Sequence, residues 1–258
     1  MSDAGIATAV CALTFVFAFL GMLFQKLLPE SHMSGGSRDM IGAVMGLVAL
    51  LLALVLGTLV GSAYGFFAVQ KANIETLGAR AIQLDLALDQ YGAETDPIRK
   101  GLRASIEGAR RAIWANDGAA GSALNDDSYL QGLKMLNASV GALSPKTPQQ
   151  SALLGAINLN ASVIASTRLL MALQLASPIS WPLLTIVVSW AMLLFFGYGV
   201  LSRLNSTSVA AAFIGAFAVG SAVFLILELN APFTGLFRIP EASVQQTIAS
   251  LKSLEAPN

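Results

Sequence analysis

The sequence predicts an all-α integral membrane protein. It has four transmembrane helices and a helical-bundle extramembrane domain between the second and the third. Three observations predict this class. The chain is 55% hydrophobic and 12% charged, whereas soluble domains carry roughly 25% charged residues. Its mean hydropathy is +0.68, which moves the expectation to the membrane class. Four apolar runs each approach or exceed the roughly 20 residues that a helix needs to cross a bilayer core.

The first run extends from about Ala4 to Leu28, through Cys11-Ala-Leu-Thr-Phe-Val-Phe-Ala-Phe-Leu20, and meets no charge until Lys26. Its start has Asp3 and no basic residue, and it is longer than the ~7–15 apolar residues of a signal peptide. It therefore reads as a retained span. The second run covers Met40 to Val69, and no charged side chain occurs from Met40 to Gln70. The third begins near Ser180-Trp181-Pro182 and reaches Leu201. The fourth runs from about Thr207 to Leu227 and ends in Glu228-Leu-Asn230-Ala-Pro232. Trp181 and Tyr198 lie near opposite ends of the third run, as an aromatic belt places them.

Short polar links, Pro29 to Asp39 and Ser202 to Ser206, join the spans as two hairpins. Links this short make neighbours antiparallel, so both termini and the middle domain share one side. Lys71, Arg80, Arg168, Arg238 and Lys252 on that side outnumber Lys26, Arg38 and Arg203 on the other. The positive-inside rule then favours a cytoplasmic middle domain.

From 71 to 176 charges of both signs return. Ile74, Leu77, Ala81, Leu84, Leu88 and Tyr91 follow a 3-4 spacing with no breaker before it. The second span should thus continue as one helix from about Met40 to Tyr91. The stripe is either a bundle-packing face within the chain or a seam between subunits. Asp96-Pro97 reads as an N-cap and first helical residue, opening a helix with Ile98, Leu102, Ile106, Ala109 and Ile113 on one face. Arg99, Lys100, Arg103, Arg110 and Arg111 lie mostly off that face. They form either a solvated strip or one that meets anionic headgroups or nucleic acid. Turns are expected at Asn116-Asp-Gly118 and Asn125-Asp-Asp127, and a third helix from about Ser128 to Leu143. Thr147-Pro148-Gln-Gln150 has the pattern of a capping box. It starts a fourth helix that runs to about Ala176, where Ser177-Pro178 ends or bends it. No strand pattern occurs. The organisation expected is 1–39 for the first span and loop, 40–70 for the second span, 71–176 for the bundle, 177–232 for spans three and four, and 233–258 for a C-terminal tail.

Several function classes are excluded or unsupported. Net charge is zero, so no large basic face argues for nucleic acid. A single cysteine, Cys11, and a single histidine, His32, give no intramolecular disulfide and no His/Cys metal cluster. Nucleophile-elbow, phosphate-loop and zinc-protease motifs are missing. Asp85 with Asp89, and Asp126-Asp127, read as solvent-facing. No cofactor is expected, and nothing supports an enzyme.

Two sets of residues are candidates for function. On the second span, Gly57, Gly61 and Gly65 share one helix face, where backbones can approach closely. That face serves intrachain packing, or meets a copy of itself, or lines a permeation path. Phe66 and Phe67 follow, either as interface anchors or as a constriction that gates by dewetting. At the end of the fourth span stands Glu228, an ionisable group at membrane depth. It is either a structural pair or cap, with Arg238 as possible partner, or an ion or proton group. Asn230, Pro232 and Gly235 predict a tight, ordered exit.

The exit motif Leu227-Glu-Leu-Asn230-Ala-Pro-Phe233-Thr-Gly235-Leu-Phe-Arg238-Ile239 resembles that of a family of bacterial membrane proteins called bestrophin-like. In that family a Leu-Asp-x-Pro-Phe-x-Gly run follows the last span. The second span, Leu54-Val-Leu-Gly-Thr-Leu-Val-Gly-Ser-Ala-Tyr64, and the third, entered through Trp181-Pro182, also fit. Asn230 stands where the family usually has Asp, which bears on any role needing a charge there. The resemblance implies likeness to bestrophins, pentameric anion channels with four spans and a cytosolic helical domain. It implies a homo-oligomer in the bacterial cytoplasmic membrane, small anions as permeant species, and a pore lined by the second span. Two other readings remain open. One is a membrane-anchored scaffold or sensor whose bundle binds a partner protein or ligand; the other is a small transporter.

Overall fold

A computed structural model describes residues 2–29, 35–114, 127–176 and 180–253. The turns expected at 116–118 and 125–126, the break at Ser177-Pro178 and the residue His32 lie outside them. The helices are α1 (Asp3–Gln25), α2 (Gly35–Tyr91), α3 (Asp96–Trp114), α4 (Asp127–Gly141), α5 (Pro148–Leu175), α6 (Trp181–Leu201), α7 (Ser206–Leu229) and α8 (Ala242–Ser253). A 3-10 turn, Ala93–Thr95, precedes α3, and the described residues contain no strand. The chain divides into two compact units. One comprises Met1–Phe66 and Ile179–Asn230, and the other Phe67–Pro178 and Ala231–Asn258.

In the first unit α1 packs on α6 and α7. The contact is close because the crossing residues are glycines. A methyl built on Gly21 would run into the Phe196 carbonyl and lie 3.0 Å from the Gly199 Cα, and one on Gly220 would lie 2.8 Å from the Cys11 Cβ. Around these crossings Val10, Leu184, Val223 and Leu227 form one buried cluster. Leu52 of α2 joins Val187, Ala191 and Leu194 of α6 in another. Side chains satisfy two of the helix ends. The Asn205 side chain accepts from Ser208 N at 2.7 Å, and Arg38 donates to the Leu201 carbonyl at 2.7 Å.

In the second unit the 3-4 stripe of α2 is core. Leu84, Leu88 and Tyr91 are buried with Ile98, Leu102, Val140, Ile157 and Ile164 from α3, α4 and α5. Ile74 lies in a second cluster with Ile113, Met171, Phe233 and Ile239. The stripe therefore packs within the chain. α2 is one helix from Gly35 to Tyr91, beginning ahead of the expected Met40. Beyond it the chain reverses at Gly92, whose φ of 133° suits a residue without a Cβ. Thr95 Oγ1 donates to the Leu88 carbonyl at 2.6 Å and lies 2.8 Å from the Gly92 carbonyl.

Asp96 is not the expected cap. Its φ of −53° and ψ of −39° are helical, because the 3-10 turn has already started the winding. At α5 the Thr147 side chain accepts from Gln150 N at 3.1 Å. The Gln150 side chain reaches back to Lys146 N at 2.8 Å, one residue before the position that a capping box uses. It also donates to the Tyr91 carbonyl at 3.0 Å, tying α5 to the end of α2.

Candidate functional site

The glycine face of α2 is open. A Cβ built on Gly57, Gly61 or Gly65 would have nothing within 4 Å. Intrachain packing, one of the roles available to this face, is therefore not what the described residues use it for. The glycines that do pack closely inside the unit include Gly21, Gly199, Gly220, Gly197 against Met45 and Gly215 against the Phe195 ring. Each stands apart from any glycine repeat, so sequence reading missed them. α2 packs through Leu52 and its neighbours and leaves Leu47, Leu50, Leu54 and Tyr64 exposed. The two aromatic candidates differ. Both are half-buried, but only Phe67 is packed against the cluster of Ile74, Met171 and Phe233.

Glu228 sits in the last turn of α7 and is only 6% exposed. Asn230 closes that helix. Its backbone N–H donates to Leu227 O at 3.1 Å, and its side-chain Nδ2 donates to Ile226 O at 2.7 Å. An aspartate could offer that carbonyl only acceptors, so the amide fits the cap. In the second unit residues 231–239 form a closed loop. Thr234 N donates to Ala231 O at 3.1 Å, and Ile239 N to Pro232 O at 2.7 Å. Gly235 turns the loop with φ at 75°. Phe233 is buried, with its ring edge-on to Trp114 at 5.9 Å, and Trp114 Nε1 donates to the Ile239 carbonyl at 3.0 Å. Arg238 lies close enough to Glu241 to help lower its pKa.

The charged faces of the second unit depart from expectation. Asp85 is fully buried and not solvent-facing. Arg99 grips both its oxygens, at 3.1 and 3.2 Å, and Arg103 adds a contact at 3.0 Å. Arg99 also pairs with the exposed Asp89. Its hydrogen bond to Asp85 raises the Arg99 pKa further above its ordinary value. Arg110 donates to Glu107 at 2.8 Å and to Glu241. These bonds raise the Arg110 pKa and hold both glutamates below their ordinary value. Arg99, Arg103 and Arg110 are thus internal ion-pair partners rather than a solvated strip. Spacing along α3 could show only the Glu107–Arg110 pair, because Asp85 and Asp89 come from α2 and Glu241 from the residue before α8.

Among the described residues no group of three or more His, Cys, Asp or Glu side chains could hold a metal ion. Five described helices, α1, α2, α5, α6 and α7, are long and apolar enough to cross a membrane by length and composition. The fifth, α5, is the least apolar, with a hydropathy of 1.3 against 2.1 to 2.7 for the others.

The model of the bestrophin-like domain matches residues 12–244. The chain belongs to the bestrophin-like family. No curated protein matches it in sequence. Solved structures share the fold of this bestrophin-like chain. A mutant of a bacterial bestrophin homologue from Klebsiella pneumoniae aligns at a TM-score of 0.70 with 14% identity, over 97% of this chain and 99% of that one. The homologue from that organism phased on zinc aligns at 0.67 with 16% identity, over 96% and 97%. A third, another mutant, aligns at 0.69 with 17% identity, over 97% and 99%. At such identities the likeness is one of fold. With its apolar helices, the bestrophin-like chain is a membrane protein.

Proposed function

We propose that the chain is one subunit of a homo-oligomeric, anion-conducting channel whose pore is lined by α2. The observation that carries this reading is the open glycine face of Gly57, Gly61 and Gly65, against which the described residues place nothing. A face without side chains, on a helix with no charged residue from Met40 to Gln70, can lie beside a path or against a copy. It sets no carboxylate in the way of an anion. Family membership supports the same reading, since the bestrophins that the family resembles are pentameric anion channels. Phe66, half-buried, is the candidate for the narrow point.

In this reading α1, the first part of α2, α6 and α7 are the four spans. α5 stays in the extramembrane bundle, because its buried residues, Asn160 and Arg168 among them, face the interior of the second unit. The bundle and both termini lie in the cytoplasm, and the membrane is the bacterial inner membrane.

Purified protein in liposomes should pass chloride. Gly61→Leu, whose Cβ would have no described residue within 4 Å, should reduce that flux with the fold intact. Lack of any anion flux, together with an oligomer that has no continuous pore, would sink the proposal. The alternative, a sensor whose bundle takes a ligand, is favoured by one observation, a cavity beside Arg168 inside the bundle.

A further inference from the structure

In the first unit α1 and α7 enclose a groove of about 360 Å³, between Ala4 and Cys11 on one side and Phe217 and Phe224 on the other. Its floor is where the two helices touch. A methyl on Gly220 would lie 2.8 Å from the Cys11 Cβ and 3.1 Å from the Ala7 carbonyl. Its edge faces outward, since Phe217 is 61% exposed. The two hydroxyls in the wall are engaged on their own helices. Thr8 donates to the Ala4 carbonyl at 2.7 Å, and Ser221 to the Phe217 carbonyl at 2.8 Å. What remains for a guest is apolar wall. The groove rises about two turns along α1, or about 10 Å. That is most of one leaflet's share of a hydrocarbon core roughly 30 Å thick.

One end of this apolar groove is acidic. Asp3 stands one and two turns before Ala7 and Cys11 on the same face of α1. Glu228 stands one turn beyond Phe224 on α7. The helices are antiparallel, so the two carboxylates come together, close enough for their charges to act on one another. Their roles differ. Glu228 is 6% exposed and engaged within the chain, so it adds negative field rather than a contact. Asp3 is half-buried at the mouth of the groove and within reach of a guest. Two like charges beside low-dielectric wall favour a cation at that end.

We propose that this groove binds a phospholipid with a primary-ammonium headgroup, taken from the surrounding bilayer. Its ammonium would lie on the Asp3 carboxylate and one acyl chain along Ala7, Cys11 and Phe224. The chemistry follows from the two ends of the groove. A primary ammonium carries N–H donors that a carboxylate accepts, and a quaternary one carries none. An anionic headgroup would meet two charges of its own sign. An inorganic cation would answer the carboxylates and leave the apolar wall unfilled. The inference rests on α1 and α7 being spans, and it is independent of whether the chain conducts.

The test strips the full chain of lipid in detergent and titrates it with phosphatidylethanolamine. Phosphatidylcholine with the same acyl chains is the comparison, and native mass spectrometry counts the bound lipid. Phosphatidylethanolamine should bind about tenfold more tightly, as one charge-assisted hydrogen bond allows. Asp3→Asn should remove that preference. Should this variant fail to fold, Ser221→Leu keeps the acid and fills the groove from an exposed position, and it should weaken both lipids. A phosphatidylethanolamine with a photoreactive group in its acyl chain should label residues between Ala7 and Cys11 or between Phe217 and Phe224. Equal affinity for the two lipids would overturn the site, as would a preference that Asp3→Asn leaves intact or an affinity that Ser221→Leu leaves unchanged. Labelling that avoids the groove would overturn it too, and would point to a second copy of the chain as its cover. Ion flux enters none of these readings, so failure here is separate from failure of the channel.

Discussion

Gly21 of α1 and Gly199 of α6 face each other where the two helices cross. A methyl on either would lie 3.0 Å from the Cα of the other, and each would also run into a backbone carbonyl, Phe196 O or Ala18 O. Backbone cannot rotate away as a side chain can. Without a hydrophobic drive between helices in lipid, close packing of this kind carries much of the association. Gly21→Ala and Gly199→Ala should each force α1 from α6 and destabilise the first unit by about 1–3 kcal/mol, the range for overpacked sites. Gly57→Ala, with open space around it, should not destabilise the subunit and should help the helix by about 0.5–1 kcal/mol. Unfolding in detergent monitored by circular dichroism compares the three, and equal losses in all would refute the assignment of packing to the first pair.

Asp85 is a buried carboxylate held by two arginines on α3. Breaking a buried ion pair from one side leaves uncompensated charge and costs about 3–5 kcal/mol. Asp85→Asn, nearly isosteric, should show a loss of that order in denaturant unfolding. Asp89→Asn, at the exposed end of the same network, should lose less than about 1 kcal/mol. Similar losses at the two positions would contradict the burial.

The link between α3 and α8 through Arg110 should depend on pH. Hydrogen bonds from Arg110 lower the Glu107 and Glu241 pKa values from the ordinary 4.5. A carboxyl depressed in the folded state contributes stability above its unfolded value and loses it as pH falls through the folded one. Docking of α8 should therefore hold at pH 5 and above, and weaken progressively below about 4.5. Hydrogen exchange of the α8 amides should rise in that acid range in the wild type. In Arg110→Met, exchange should already be faster at neutral pH and change less on acidification.

Asn230 donates its amide N–H to the Ile226 carbonyl. Asn230→Asp would restore the residue usual in the family and set an acceptor against an acceptor at that contact. The Ile226 carbonyl keeps the backbone N–H of residue 230 at 3.3 Å, so the expected cost is that of one lost side-chain hydrogen bond, about 0.5–1.5 kcal/mol. Part of it should return on acidification, because a protonated carboxyl can donate. A variant as stable as the wild type at neutral pH would show that the cap contributes nothing.

Parts of this architecture were legible in one dimension. Apolar runs became α1, α6 and α7, and the stripe from Ile74 to Tyr91 became the buried side of a helix without a break. The Thr147-Pro148-Gln150 pattern started α5 as expected. Each signal rests on a chain segment and its own periodicity. Other features required a second element. Asp85 and Asp89 occupy consecutive turns and look alike along the chain. The arginines that bury one and leave the other exposed stand on α3. α8 (Ala242–Ser253) lies in a stretch read as tail; it docks through Thr247 on Gly78 and through Glu241 on Arg110, contacts that no local pattern announces.

The glycines divide in the same way. Gly57, Gly61 and Gly65 make a visible repeat because they share one helix, yet the fold leaves them open. Gly21, Gly199 and Gly220 make no pattern, yet they are where helices touch. Sequence by itself determined which segments are apolar, where the helices up to α7 run and which family they belong to. Apolar content and helix winding are sums of local terms, so they survive without coordinates. Only the tertiary structure decided which charges are buried, which glycines are contacts and where a cavity meets an arginine. These depend on the point and angle at which two helices cross, and that is a property of the pair.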